Sequence, residues 1–352
     1  MMAELDEARS RGPSSSSGST TRDSGSTTRG SGSITRDSGG ITRDSGGITR
    51  GSGSGAADPA TEAFVAHRNL LFTVAYELLG SAADAEDVLQ ETWLRWVKVD
   101  LDQVRDQRAY LVRITTRQAL NRLRAEKQRR ESYVGEWLPE PLLTTPDVAE
   151  EVELAESVSM ALMLVLETLT PVERAVFVLR EVFRVDYDEI ATALGKSPTA
   201  VRQIAHRARQ HVDARRPREV ASPRETRAAL ESFQHAIETG ELQALLNVLA
   251  PDAVLIADGG GVRQSAIRPV IGADKVARFL FGALDKVERL GQSLTVGSAT
   301  INGNPALLLR LDAEYDGILA VRVEDGRIAG LYYVRNPEKL SHLEEEIPLT
   351  LR

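Results

Sequence analysis

The run DYDEIATALGKSPTAVRQIAHRARQHVDAR, residues 186–215, divides into two short amphipathic helices around a single glycine. Asp186 with Glu189 three residues on has the form of a capping box. Tyr187, Ile190, Ala191 and Leu194 fall at i, i+3, i+4 and i+7, which puts them on one buried stripe. Gly195 supplies the left-handed conformation that ends a helix. Ser197 is placed to cap the next helix, and Pro198 sits in its first turn, where the missing N–H costs nothing. In that second helix Val201, Ile204, Ala205, Ala208 and Val212 face inward, which leaves Arg202, Gln203, His206, Arg207 and Arg209 outward. A helix, a glycine turn and a second helix with polar, cationic outward residues fit the helix-turn-helix plan, whose second helix enters the major groove. Ser197, Thr199, Arg202 and Gln203 lie at the end that meets base edges; Arg and Gln make bidentate base contacts, and Arg207 and Arg209 suit phosphates. An ordinary helical hairpin with a solvated face is the competing reading. Upstream, Thr170, Pro171 and Glu173 form another capping box, followed by a stripe of Val172, Ala175, Val176 and Leu179.

Two further helical segments precede this one. In SAADAEDVLQETWLRW, with Asp84 as candidate cap, Val88, Leu89, Thr92, Trp93 and Trp96 share one face and Asp87, Gln90, Glu91 and Leu94 the other. An acidic face of this kind docks on a basic protein surface or is simply solvated. Residues 105–130 hold nine Lys or Arg against two acids. Arg113, Arg117, Asn121 and Arg124 fall on one stripe with Tyr110 close by, an arrangement suited to phosphates and an unstacked base. A solvated helix would interleave acids for i,i+4 pairing, and few are present.

Composition sets the limits around these segments. The chain has 352 residues, 42% hydrophobic, with net charge −8, so a basic patch is local rather than global. It has no cysteine and five scattered histidines, which leaves no thiolate chemistry and gives little reason to expect a metal site or other cofactor. No apolar run reaches the ~18–20 residues of a membrane span, and the N-terminus has no secretion-signal pattern. Residues 21–55 repeat a seven-residue unit (TRDSGST, TRGSGSI, TRDSGGI twice, TRGSGSG) with at most one apolar residue each. That leaves no coiled-coil seam and predicts a disordered tail. Two proline-containing stretches, ESYVGEWLPEPLLTTP and PREVASPR, separate the helical segments from each other and from a C-terminal part. There two helices are followed by strand-like runs, PALLLRLDAEY and GILAVRVEDGRIAGLYYV, with Asn-Gly and Asp-Gly turn signals.

YELLGSAADAEDVLQETWLRW, AYLVRITTRQALNRLR and LTPVERAVFVLREVFRVDYDEIATALGKSPTAVRQIAHRARQ resemble, in order and spacing, regions 2 and 4 of extracytoplasmic-function RNA polymerase sigma factors. WLPEP (Trp137, Leu138, Pro139, Glu140, Pro141), DGGG (Asp258, Gly259, Gly260, Gly261) and NPEKL (Asn336, Pro337, Glu338, Lys339, Leu340) resemble the subgroup with a fused SnoaL-like domain, whose last motif usually reads NPDKL. The resemblance covers roughly residues 60–342. It implies a multi-domain chain: a tail over 1–58, all-α region 2 over 59–130, a linker over 131–150, all-α region 4 over 151–216, a second linker over 217–224, a cone-shaped α+β SnoaL-like regulatory domain over 225–342, and a tail over 343–352. It implies that Asp84, Asp87, Gln90 and Glu91 bind core RNA polymerase, that Arg113, Arg117, Asn121 and Arg124 recognise and open the −10 element of promoter DNA, and that the helix Ser197–Arg209 reads the −35 element. The fused domain is implied to contact the linker and core-binding regions and tune activity in place of a separate anti-sigma protein. The expected protein is cytoplasmic, a monomer when free, off the membrane, without catalytic activity or cofactor. Two other readings stand beside it. The C-terminal fold is shared with small-molecule enzymes, which would make Asp258, Asp312 or His235 acid/base candidates or the domain a ligand sensor. A one-component helix-turn-helix regulator with a small-molecule-sensing domain is the other, though it needs neither the acidic face nor the separate basic helix.

Overall fold

The computed structural model describes residues 58–130, 133–144, 152–215, 221–343 and 346–351; the repeated N-terminal tail and the rest of both linkers lie outside them. Helices α1 (Pro59–Leu79), α2 (Ala82–Trp96) and α3 (Gln107–Arg130) pack together, with α4 (Val152–Ser157), α5 (Met160–Glu167), α6 (Pro171–Phe177), α7 (Tyr187–Leu194) and α8 (Pro198–Asp213) following. Four helices start with proline at the first turn, Pro59, Pro171, Pro198 and Pro223, as a residue with no N–H to lose should. The Thr170–Glu173 capping box and the Ser197 cap form as the sequence indicates. Two caps differ. Asp186 stands at the N-cap of α7 without a side-chain cap bond and faces Arg180 instead. Asp84 is the third residue of α2, and its N–H donates to the true cap, Ser81. One apolar cluster runs from α1–α3 through α6–α8, with Trp96, Leu71, Leu111, Val176, Ile190 and Val201 within it.

The C-terminal part joins α9 (Pro223–Thr239), α10 (Leu242–Val248) and α11 (Ala273–Arg289) to one six-stranded sheet. Its strands are β1 (Leu249–Asp258), β2 (Val270–Ile271), β3 (Leu294–Ile301), β4 (Asn304–Leu311), β5 (Glu314–Glu324) and β6 (Arg327–Val334), in the order β2-β1-β6-β5-β4-β3, with β1 parallel to β6 and the other pairs antiparallel. The α+β expectation holds. α9 begins at Pro223 on a Ser222–Glu225 capping box, inside the stretch read as a linker, because proline at a first turn opens a helix as readily as it breaks one. Asn302-Gly303 and Asp325-Gly326 make the hairpin turns they signal. A third, at Asp312-Ala313, has positive φ at both residues without a glycine and was not marked by composition.

The sheet alternates as a two-sided strand pattern should. Leu307, Leu319 and Leu331 join the cluster beneath α9–α11. Their neighbours Ala306, Ala320 and Tyr332 face the other way, into a third cluster with Leu138 and with Met160 of α5. One face is therefore covered by the sheet's own helices and the other by the first linker and α5. Among the described residues no helix is long and apolar enough to cross a membrane.

Candidate functional site: a linker held between two partners

Segment 137–144 carries the densest set of polar contacts between the helical and α+β parts. Toward the helical part, the Glu140 N–H donates to Gly80 O (2.8 Å) at the end of α1, and Tyr76 Oη donates to Glu140 O (2.6 Å). The Glu140 carboxylate accepts the N–H of Ala82 (2.8 Å), the first residue of α2. It therefore meets the positive end of the helix that carries the acidic face. Burial raises the Glu140 pKa, opposed by that N–H and by His342. Gly80 adopts φ 70°, and a Cβ there would lie 2.7 Å from the Trp137 ring, so only glycine admits the indole.

Toward the α+β part stands Asp258, at the end of β1 and fully buried. One carboxylate oxygen accepts Tyr133 Oη (2.6 Å) and the Gly260 N–H (3.0 Å). The other accepts the Leu138 N–H (2.9 Å) and Lys339 Nζ (2.7 Å). Lys339 Nζ also donates to Leu138 O (2.5 Å) and lies 4.2 Å from the Trp137 ring centroid, a cation–π contact. Asn336 Nδ2 donates to Tyr133 Oη (2.9 Å), and Asn336 Oδ1 accepts the Glu338 N–H, which starts a 3-10 turn over Pro337–Lys339. Leu340 is buried beside Leu138. A Cβ on Gly259 would strike Arg263 O at 2.1 Å, one on Gly260 would meet Asn336 at 2.5 Å, and one on Gly261 would press on Val134 at 3.2 Å. The triple glycine is a close-approach device. Glu338, the position that departs from NPDKL, is exposed, so aspartate or glutamate serves there.

Three elements that the sequence left unmarked tighten the arrangement. Asn302, read as half of a turn signal, is buried with φ 52°. Its Oδ1 accepts the Leu142 N–H (2.8 Å), while its Nδ2 donates to Tyr76 Oη (2.7 Å) and Val158 O (2.8 Å). Segment 346–351, read as tail, packs Leu349 into the helical core, and the Thr350 N–H donates to Thr73 Oγ1 of α1 (3.2 Å). Glu77 is fully buried on α1; its carboxylate accepts Ser157 Oγ (2.9 Å), and its carbonyl accepts Arg174 Nε of α6 (3.0 Å). Burial pushes the Glu77 carboxyl up to about 8, against the pull of Ser157 and Arg174.

The nucleic-acid and core-binding candidates fall in two groups. Ser197, Thr199, Arg202, Gln203, His206 and Arg207 are exposed along α8, while Arg209 is half-buried and paired with Glu181 (2.6 Å). On α3, Asn121 and Arg124 are exposed, and Arg113 stacks on Tyr110 at 4.4 Å. Arg117 is spoken for: its Nε donates to Ala193 O (2.7 Å) and its Nη2 to Thr192 O (2.9 Å), at the carboxyl end of α7. On α2, Asp87, Gln90 and Glu91 are exposed and Asp84 is half-buried. Arg122 of α3 bridges Asp84 and Asp87 at 2.6 Å each, and Gln118 donates to Glu91. Of the acid/base candidates, Asp258 has both oxygens occupied as above, Asp312 is exposed in a hairpin turn, and His235 is exposed on α9.

Residues 63–130 match the family described as Sigma-70 region 2, and residues 159–212 the family described as Sigma-70, region 4. The ECF RNA polymerase sigma factor SigJ of Mycobacterium tuberculosis (strain ATCC 25618 / H37Rv) is 37% identical over 291 residues, covering 79% of this chain and 92% of its own. A probable ECF RNA polymerase sigma factor, SigI, of Mycobacterium tuberculosis (strain CDC 1551 / Oshkosh) is 31% identical over 294 residues, 82% of this chain and 98% of its own. The crystal structure of the Mycobacterium tuberculosis extracytoplasmic function sigma factor SigJ superposes with a TM-score of 0.64 at 33% identity, covering 80% of this chain and 98% of that one.

Proposed function

The chain belongs to the extracytoplasmic-function family of RNA polymerase sigma factors and directs the core enzyme to promoters; from that premise we propose that its α+β part is a built-in restraint on the linker between regions 2 and 4. The observation that carries this is Leu138, whose N–H and C=O are both taken by the α+β part, through Asp258 and Lys339, while Glu140 two residues on is bound to α1 and α2.

Geometry gives the restraint its effect. The −10 and −35 elements are centred about 25 base pairs apart, roughly 85 Å of straight B-DNA. Here α3 and α7 touch through Arg117, so the readers on α3 and α8 are held close together rather than a promoter spacing apart. The 20 residues from 131 to 150 reach at most about 72 Å when extended. Holding Tyr133–Thr144 withdraws twelve of those residues. Release of the linker is then a condition for regions 2 and 4 to span a promoter.

Within this reading region 2 runs over 59–130, region 4 over 151–216 and the regulatory domain over 225–342. Asp84, Asp87, Gln90 and Glu91 dock on core polymerase, and Arg122 holds two of them in place. Arg113, Arg117, Asn121 and Arg124 meet the −10 element. Ser197, Thr199, Arg202, Gln203, His206 and Arg207 meet the −35 element, joined by Arg209 once Glu181 releases it. The restraint needs no separate anti-sigma protein, and the protein works in the cytoplasm as a monomer until it meets core polymerase. Sigma factors are not enzymes, and the occupied oxygens of Asp258 favour a structural over an acid/base role.

The test is transcription with reconstituted core polymerase, comparing the full chain with Lys339→Met, which removes the ammonium that binds Leu138 O and Asp258. More promoter-specific transcript from the variant at equal core binding is expected. Equal yield from the two proteins would overturn the restraint.

A further inference from the structure

Between α9, α11 and strands β3–β4 lies a cavity of about 650 Å³, within the range of small-molecule pockets. Its floor is the sheet face on which Leu294 pairs with Leu311 and Val296 with Leu309. Its roof is α11 from Arg278 onward. The first half of that helix buries Val276 and Ala277, while Phe279 and Leu284 farther along line the space and stay half-exposed. An apolar helix face and an apolar sheet face thus line two sides of the cavity.

The charged part of the lining is mostly cationic. Asp316, 4% exposed, is bound by Tyr333 Oη (2.6 Å) and by two guanidinium nitrogens of Arg335 (2.6 and 3.1 Å), so its charge is balanced. Beyond that pair the lining holds Arg263, Arg278 and Lys286 against the single carboxylate of Glu238. Among the described residues Arg263 has no carboxylate within ion-pair distance, and Lys286 is bound by a neutral partner, the Gln264 amide. An apolar body with a cationic rim selects an apolar molecule that carries a negative charge.

This wall is continuous with the Asp258 site. Val262 and Arg263 follow DGGG directly, and the N–H groups of both donate to Gly259 O. Arg335 precedes Asn336; its backbone N–H donates to Asp258 O (2.7 Å), and its guanidinium binds Gln264 O. Two of the segments that line the cavity thus run directly into those that grip Leu138.

We propose that this cavity binds a small amphipathic carboxylate, an aliphatic or aromatic body with one acid group, and that its occupancy is coupled to the grip of Asp258 and Lys339 on the linker. The coupling rests on the restraint described above; the binding does not. Linkage requires that a ligand which changes the grip has its own affinity changed by the same factor when the grip is altered.

The experiment titrates the full chain calorimetrically with naphthalene-2-carboxylate, with dodecanoate below its micelle concentration, and with methyl naphthalene-2-carboxylate as the neutral control. One-to-one binding of at least one acid is expected, with the ester at least about tenfold weaker than naphthalene-2-carboxylate when that acid is the binder. Val296→Trp, which fills the floor, is expected to abolish binding. Arg263→Ala, an exposed change that spares the fold, is expected to weaken an acid and leave the ester unaffected. Lys339→Met is expected to shift the acid's affinity in the direction, and by no more than the factor, by which saturating acid changes hydrogen exchange at the Leu138 amide. Neither acid binding up to about 1 mM, or binding indifferent to Val296→Trp and Arg263→Ala alike, overturns the site. Saturable binding with unchanged Leu138 exchange overturns the coupling. Because Lys339→Met transcription is read without any ligand, failure of the restraint is seen separately.

Discussion

Asp258→Asn tests the linker restraint with the least change in shape. The wild-type carboxylate accepts four donors, from Tyr133, Gly260, Leu138 and Lys339. An asparagine offers one oxygen and turns an NH2 toward the remaining donors, so two of the four lose their acceptor. A buried donor left without a partner costs about 1–3 kcal/mol. Lys339, whose side chain is 11% exposed, also loses its charge partner, and breaking a buried pair from one side costs about 3–5 kcal/mol in all. The lower figure already corresponds to roughly a hundredfold shift toward the released linker. The readout is hydrogen exchange at the Leu138 amide, expected to accelerate by about that factor, beside promoter-specific transcription, expected to rise. Wild-type exchange at Leu138 would refute the energetic reading. Faster exchange with unchanged transcription would refute the link from the restraint to activity.

Arg202→Ala, on the exposed face of α8, should cost about 1–3 kcal/mol in affinity for a −35 duplex and leave core-polymerase affinity unchanged by titration. Glu77 favours its neutral form in the folded protein up to about pH 8, whereas the unfolded chain ionises near 4.5, so stability should fall as pH rises through that window, by about 1.4 kcal/mol per unit. Glu77→Gln, measured by denaturant midpoints from pH 5 to 9, should flatten that slope; an unchanged slope would place the titration elsewhere. Leu349→Ala should cost about 2 kcal/mol in denaturant unfolding, since the side chain is 7% exposed within the helical core; a neutral result would mean that segment 346–351 does not close over α1.

The parts of the molecule that could be read from sequence are those set by local periodicity. The stripe from Val201 to Val212 and the Thr170–Glu173 and Ser197 caps depend on neighbours within one helix, and they form as read. Asp84 misled because serine and aspartate three residues apart both suit a cap, and only backbone geometry chooses between them. Asn302 could not be read. A turn signal accounts for its backbone, while its side-chain partners Tyr76, Leu142 and Val158 are 144 to 226 positions away. The cluster around Asp258 came from motif resemblance alone, since no periodicity links positions 133, 138, 258 and 339. The run IPLTL at 347–351 carries no helical or strand pattern and is placed only by the apolar surface it covers.

The same distance from local pattern explains why closure and function share residues. Arg117 was assigned to promoter DNA by its place on a cationic stripe, yet its guanidinium binds the carbonyls of Thr192 and Ala193. The Nε–H and the Nη2–H engaged there are withheld from a phosphate while α3 and α7 stay together. Arg209 faces the same choice between Glu181 and DNA. On the proposed assignment of these residues, promoter DNA binds an opened arrangement better than this one and shifts the population toward it by that difference in affinity. The face of α2 proposed to dock on core polymerase remains largely exposed in this arrangement. On that proposal the order of events follows from exposure: core polymerase docks first, the linker is released, and the −10 and −35 readers part last.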